Sequence, residues 1–345
     1  MAYTAIDNPE LYFQTKTYSG TGSSQSITLD GDEDMQPDWL WIKRRDSTAN
    51  HRTVDSVRGV TEGLNPNQNI VEGTLSDSVT SFDSDGFSLG AGSQGYTNTS
   101  GGTFVAWCWK AGTSFSNDAS ATSVGSIDSS GSTSTTAGFS IVKIDSMPAS
   151  TTSTFAHNLG VKPNFIIFKS RDLTTNWDVY HSSALPDGER KLYLNDTDAV
   201  IDSGFMNDTA PTSSVVSFNP GSSDSNHITY CFAEKQGFSK FGSYTGNGNA
   251  DGTFVYTGFK PAFVIYKRTD SGADWHMYDN KRDPINEMDS CLFPSGNYVD
   301  QAGDDLDFLS NGFKQRSTGA EANNSGGTYI YMAFAEAPFV NSNGV

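Results

Sequence analysis

The sequence predicts an all-β protein made of three tandem antiparallel β-sandwich repeats of the jelly-roll or lectin-like type. Three observations carry that prediction. One set of motifs recurs three times at a spacing of roughly 100 residues, which is the size of a β-sandwich domain and far longer than a solenoid or propeller-blade repeat. Phe, Tyr, Val and Ile supply most of the apolar content, in short runs that suit a pleated, half-buried surface. Between those runs lie Ser, Thr, Asn, Asp and many of the 34 glycines, side chains that compete with helical hydrogen bonding and favour turns. No amphipathic helix of any length is visible.

Each repeat opens on a strand ending in a Gly-containing turn. The three openings run from Tyr12 to Gly20, from Gly138 to Lys143 and from Gly237 to Gly246. A Pro then leads an apolar run into a basic cluster, from Pro37 to Asp46, Pro163 to Asp172 and Pro261 to Asp270. Pro is tolerated there because the first position of a strand can lack its N–H. A Trp follows in the second and third repeats, in Trp177-Asp-Val-Tyr180 and Trp275-His-Met-Tyr278, whereas the first repeat has His51-Arg-Thr-Val54. Late in the unit comes a Gly-Phe turn, Asp85-Gly86-Phe87 in the first repeat and Asn311-Gly312-Phe313 in the third. The second repeat offers only Ser203-Gly204-Phe205. The closing strand ends at Trp109, Glu234 and Glu336. In its third copy Tyr329, Tyr331 and Ala333 alternate with Ile330, Met332 and Phe334, so both faces are apolar and the strand is expected to be covered on both sides.

The repeats delimit the chain. Residues 1–11 read as a docking segment, 12–110 as the first sandwich, 138–235 as the second and 236–345 as the third, each with its own core. Only Lys235-Gln236 joins the last two, which should dock tightly in series. Residues 111–137 are rich in Ser, Thr and Gly; such a stretch cannot bury much area and reads as an exposed linker or long loop, or as a strand for an oligomer partner.

A net charge of −18 repels phosphate backbones and anionic lipid, which argues against nucleic acid and membrane partners. Three cysteines, Cys108, Cys231 and Cys291, cannot form an even disulfide framework and match no zinc spacing, so buried free thiols are expected. The first residues lack a basic segment followed by an apolar one, and no apolar run is long enough for a membrane helix. A soluble protein made in a cytoplasm is the expectation.

The stretches Ile6 to Gln14, Gly101 to Gly112, His157 to Pro163, Phe232 to Gly248 and Tyr331 to Phe339 make the chain resemble a family of tail-fibre and other virion surface proteins of marine bacteriophages, such as those infecting cyanobacteria and abundant ocean heterotrophs. The resemblance covers most of the chain. It implies concanavalin-like sandwiches on a phage particle, contacts with other virion proteins through the N-terminal segment, attachment to a host surface glycan or protein, and a homo-oligomer, trimer favoured. It supplies no catalytic residues. The chain differs from ordinary tail fibres in showing no long anchoring domain and no coiled-coil stalk, so fibre, fibre tip and particle decoration all remain open. A structural decoration or adaptor protein and a polysaccharide depolymerase are the alternatives.

Candidate chemistry is sparse. The five histidines have no metal-ligand spacing, and no nucleophile elbow or phosphate loop is present. No residue pair stands out as a glycosidase dyad. Thus no enzyme and no cofactor are expected, save calcium on the acidic turn Asp30, Asp32 and Asp34, since closely spaced carboxylates supply several of the oxygens that calcium wants. A second acidic cluster, Asp300, Asp304, Asp305 and Asp307, offers the same chemistry. Ligand contacts are expected at Trp177, Tyr180, Trp275 and Tyr278, where an aromatic face could stack on a sugar ring, with Arg171 and Arg268 nearby. Because they recur at equivalent positions, those aromatics suit core plugs better still, and the basic clusters suit salt bridges to the acidic excess.

Overall fold

The computed structural model describes residues 4, 6–303 and 306–338. Strand makes up 43% of the chain and helix 3%, so the fold is all-β. One four-strand order occurs three times. In the first repeat the closing strand Thr103–Trp109 lies between the opening strand Phe13–Ser19 and the strand Trp39–Arg44, with Arg52–Asp55 outermost. The second repeat uses Phe139–Met147, Ser225–Phe232, Phe165–Ser170 and Asp178–His181 in the same places. The third uses Ser239–Thr245, Thr328–Pro338, Phe259–Arg268 and Trp275–Asp279. Every pairing is antiparallel, and the first and last strands of each repeat are neighbours, which closes the unit on itself.

A smaller sheet backs each of these. It has three strands in the first repeat (Gln25–Thr28, Gly86–Leu89, Val79–Asp83) and three in the third (Phe254–Tyr256, Gly312–Gln315, Leu306–Leu309), but two in the second (Ser153–Ala156, Val215–Phe218). Between each pair of sheets lies a separate apolar core. The opposite faces of all three four-stranded sheets meet in one further core. Trp39 stacks on Tyr230 with centroids 4.4 Å apart, Phe13 on Phe334 at 5.0 Å, and Phe165 on Phe241 at 6.1 Å. The alternating residues of the last strand divide accordingly: Tyr329, Tyr331 and Ala333 face the third repeat's own core, while Ile330, Met332 and Phe334 face the shared one.

The shared core changes two expectations. The repeats do not dock in series but close a ring, because three inward apolar faces lose most water when each touches the other two. The core expected within each repeat is present, but the largest cluster belongs to all three together.

Residues 111–137 are also more ordered than their composition implies. Ser129–Ser134 pairs onto Phe139–Met147 and Thr113–Asn117 onto Ser129–Ser134, so two strands extend the second repeat's sheet. A polar strand needs no core of its own where a ladder already exists to satisfy its backbone. The docking segment likewise packs on its own chain where it is described. Ile6 is buried in the shared core, Thr4 donates its hydroxyl to the Gln236 carbonyl at 2.6 Å, and Pro9–Leu11 forms a single 3-10 turn capped by Asn8. Residues 1–3 and 5 of that segment lie outside the described residues.

Candidate functional site

Strand register places the residues flagged in the sequence. Trp275 stands opposite Lys267, and extending the other two ladders by one residue aligns Trp177 with Lys169 and His51 with Lys43. All three reach across a seam to a neighbouring repeat. Trp177 donates its indole N–H to the carbonyls of Asn65 and Gln68 at 3.1 and 3.0 Å, and Trp275 to that of Tyr193 at 2.8 Å. His51 Nε2 donates to the Phe293 carbonyl at 3.0 Å, while its Nδ1 accepts from Trp41. His51 therefore does by one N–H what the tryptophans do by theirs.

Trp177 and Trp275 are 1% exposed and Tyr180 and Tyr278 are 0%, so no ring face is open for a sugar to stack on. They are core plugs. Arg171 is engaged with Glu72 at 2.7 Å and Arg268 with Asp270 at 2.9 Å, which is the ion-pair role. The lysines beside these arginines are buried and point at backbone: Lys43 donates to the Arg44 carbonyl at 2.5 Å, Lys169 to Thr175 at 2.9 Å and Lys267 to Arg268 at 2.8 Å. Burial pushes each ammonium down to about 8.

The acidic turn does not assemble a metal site. Asp30 pairs with Lys16, and the backbone of Asp32 is tied to Glu10. Among the described residues no three His, Cys, Asp or Glu side chains converge around a common point, so Asp30, Asp32 and Asp34 form no ligand set. In the second cluster Asp300 pairs with Arg45 and Arg282, and Asp307 with Arg316; Asp304 and Asp305 lie outside the described residues.

The open site lies in the second repeat, where the backing sheet lacks its third strand. In the first repeat Gly86 makes the hairpin that supplies that strand. Its φ is +115° and a Cβ there would sit 2.0 Å from the Ile27 carbonyl oxygen, so only glycine fits. Gly204, the nearest counterpart, has no atom closer than 3.7 Å to such a Cβ. It belongs to a run of turns, and the strand is never formed. The vacated edge is a cleft of about 510 Å³.

Its floor is aromatic. Phe168 stacks on Phe218 with centroids 4.6 Å apart, and Phe205 meets both edge-on. Over this floor Lys191 pairs with Asp178 at 2.9 Å and lies 4.9 Å from the centre of the Tyr193 ring. Burial raises the Asp178 carboxyl above its ordinary value despite Lys191. Burial alone would lower Lys191, but Asp178 outweighs it and the ammonium is raised. His227 takes the place held by Phe104 and Tyr329 in the other closing strands. Burial pushes it down to about 4, so it is neutral, with Nε2 bonded to Ser225 at 2.7 Å and Nδ1 left without a partner. Asn176 and Asn219 line the walls, and each uses its side-chain carbonyl within the protein, accepting from Asn195 and from Gly221. Among the described residues neither side-chain amide N–H of the two donates a hydrogen bond, so both can serve a guest.

The cleft thus combines an apolar floor, a charged pair, two amide donors and a half-buried tyrosine. Asp178 is the only carboxylate in its lining. Acid–base cleavage of a glycosidic bond needs two facing carboxyls, whereas binding a hydroxylated ring needs what is present. Of the ligand contacts flagged in the sequence none lines the cleft, whereas Asn176, the neighbour of Trp177, does. The signal for the cleft was the missing Asp/Asn-Gly-Phe turn in the second repeat.

No curated protein and no solved structure matches the chain. A family model described as a domain of unknown function, DUF7483, matches residues 8–338, a span that takes in all three four-stranded sheets and the cleft, and the chain belongs to that family.

Proposed function

We propose that the protein is a surface component of a bacteriophage particle, a tail fibre or fibre-like protein, that attaches to the host cell by holding a surface carbohydrate in the cleft of the second repeat. The observation that carries this reading is the breach in one backing sheet out of three, lined by Asn176, Asp178, Lys191, Tyr193 and Asn219. Loss of a strand leaves a cleft of about 510 Å³ unfilled at the sheet edge, and a vacancy confined to one repeat is accounted for by a guest. The resemblance to phage surface proteins supplies the setting. A lining with a single carboxylate supports binding over depolymerisation.

The test is adsorption. Purified protein added in excess should compete with the intact phage for host cells and retain host glycan. The double variant N176A/Y193A should compete about tenfold less well, the scale of losing one stacked ring or a pair of hydrogen bonds. Labelling of the protein on intact particles should mark free tips. Label confined between subunits, with no competition by the free protein, would establish a decoration or adaptor role instead.

A further inference from the structure

Two of the three seams of the ring are sealed by one device. Between the first and second repeats, Arg58 holds Asp55 at 2.6 Å and Glu72 at 2.8 Å, Arg171 holds the other oxygen of Glu72 at 2.7 Å, and the Tyr230 hydroxyl donates to Asp55. Between the third and first, Arg282 holds Asp279 at 2.6 Å and Asp300 at 3.0 Å, Arg45 holds the other oxygen of Asp300 at 2.6 Å, and the Trp107 indole donates to Asp279. Each seam clamps one carboxylate between two arginines.

The seam between the second and third repeats has lost every charged member. Register puts His181 where Asp55 and Asp279 stand, and Ala184 three residues on, where Arg58 and Arg282 stand. Thr269 replaces Arg171 and Arg45. Val200 replaces the clamped acid, since its N–H bonds the Thr269 carbonyl at 3.0 Å as that of Glu72 bonds Arg171 at 2.7 Å and that of Asp300 bonds Arg45 at 2.8 Å. The space left behind is a groove of about 620 Å³ whose walls include Ala184, Val200 and Thr269 themselves. It shares no lining residue with the cleft of the second repeat.

One cation faces this groove. Arg190 lines it, has a buried Nε with no hydrogen-bond partner, and pairs with no carboxylate among the described residues. Asp270, the one acid in the lining, has both oxygens held by Arg268, at 2.9 and 3.3 Å, so it does not compete for Arg190. Hydroxyls of Ser183, Ser243, Thr245 and Thr328 complete the walls. We propose that this seam is a second binding site, and that it takes an acidic sugar: Arg190 receives the carboxylate of a uronic acid residue in the region where the sister seams clamp Glu72 and Asp300, and the serine and threonine hydroxyls receive the ring hydroxyls. A guanidinium matches a planar carboxylate with two parallel hydrogen bonds, and a guest that supplies the missing anion restores the pattern of the other two seams.

The test is calorimetric titration of the full chain with galacturonic acid and, as the neutral control, galactose. Galacturonic acid should bind at least about tenfold tighter than galactose, and R190A should lose that margin, the factor expected when a charge-assisted pair is removed. V200E should place an internal carboxylate beside Arg190 and abolish galacturonate binding with no loss of fold, so the result does not depend on R190A alone. N176A/Y193A should leave it unchanged, which separates this site from the cleft. Absence of saturable binding, equal affinity for the two sugars, or undiminished binding by folded V200E would overturn the assignment.

Discussion

Trp107 donates its indole N–H to Asp279 at 3.0 Å, joining residues 172 apart in the chain. Trp107 lies on the first repeat's closing strand and Asp279 on the outermost strand of the third repeat's sheet. This bond closes the ring, and Asp279 is also the acid that neutralises the fully buried Arg282. Replacing Asp279 by Ala leaves that guanidinium without its main partner. It should destabilise the protein by about 3–5 kcal/mol, the usual cost of breaking a buried pair on one side. W107F, which removes only the donor, should cost about 1–3 kcal/mol. Denaturant titration of the three proteins checks the order.

The shared core makes a prediction about cooperativity. Trp109 touches Phe13, Phe232, Phe263 and Phe334, and so packs against all three repeats. W109A should cost about 3–5 kcal/mol as a large-to-small core change. Unfolding of the whole chain should remain a single calorimetric transition, with equal calorimetric and van't Hoff enthalpies. Separate transitions would show instead that the repeats are stable alone.

Stability should fall in mild acid. Burial pushes His157, His181 and His227 from the ordinary 6.5 down to about 4. As pH falls from 6.5 to 4 the unfolded chain takes up these protons before the native one does, so the native state loses stability across that window. Each histidine contributes at most about 1.4 kcal/mol per pH unit. Denaturant midpoints measured through the window should decline, and H227Q should make the decline shallower. In base the slope keeps the same sign. Lys43, Lys169 and Lys267 lose protons near 8 in the native state but near 10.5 when unfolded, so stability should rise between those values.

The three cysteines are free and buried, and burial pushes the Cys108 and Cys231 thiols well above their ordinary range. Thiolate is the reactive form. A thiol reagent should therefore find no reactive group in the native protein at neutral pH and all three after denaturation. Rapid labelling of the native protein would show that the closing strands of the first two repeats open readily.

Much of this architecture is written locally. The recurrence of Pro37, Pro163 and Pro261 before apolar runs, and the alternation of Tyr329 to Phe334, are patterns within a strand's length. A period of two reports which faces are dry because side chains alternate across the sheet. The change from Asp85-Gly86-Phe87 to Ser203-Gly204-Phe205 was legible too, and it marks where the cleft opens. The aromatic pair Trp177 and Trp275 could be read as plug or platform, since a side chain's type does not say which way it faces water.

Local residue patterns dictate the unit: its strands, their order of use, and the apolar character of both faces of the closing strand. What covers the second face, namely the other two sheets around one core, emerges only from the packed fold. That fold also decides that Glu72 meets Arg171 and Asp300 meets Arg45, while Val200 meets Thr269. Those partners are 69 to 255 residues apart. Burial of a strand face depends on local alternation alone, but pairing across a seam depends on how three closed units turn toward one another, and no local pattern encodes that.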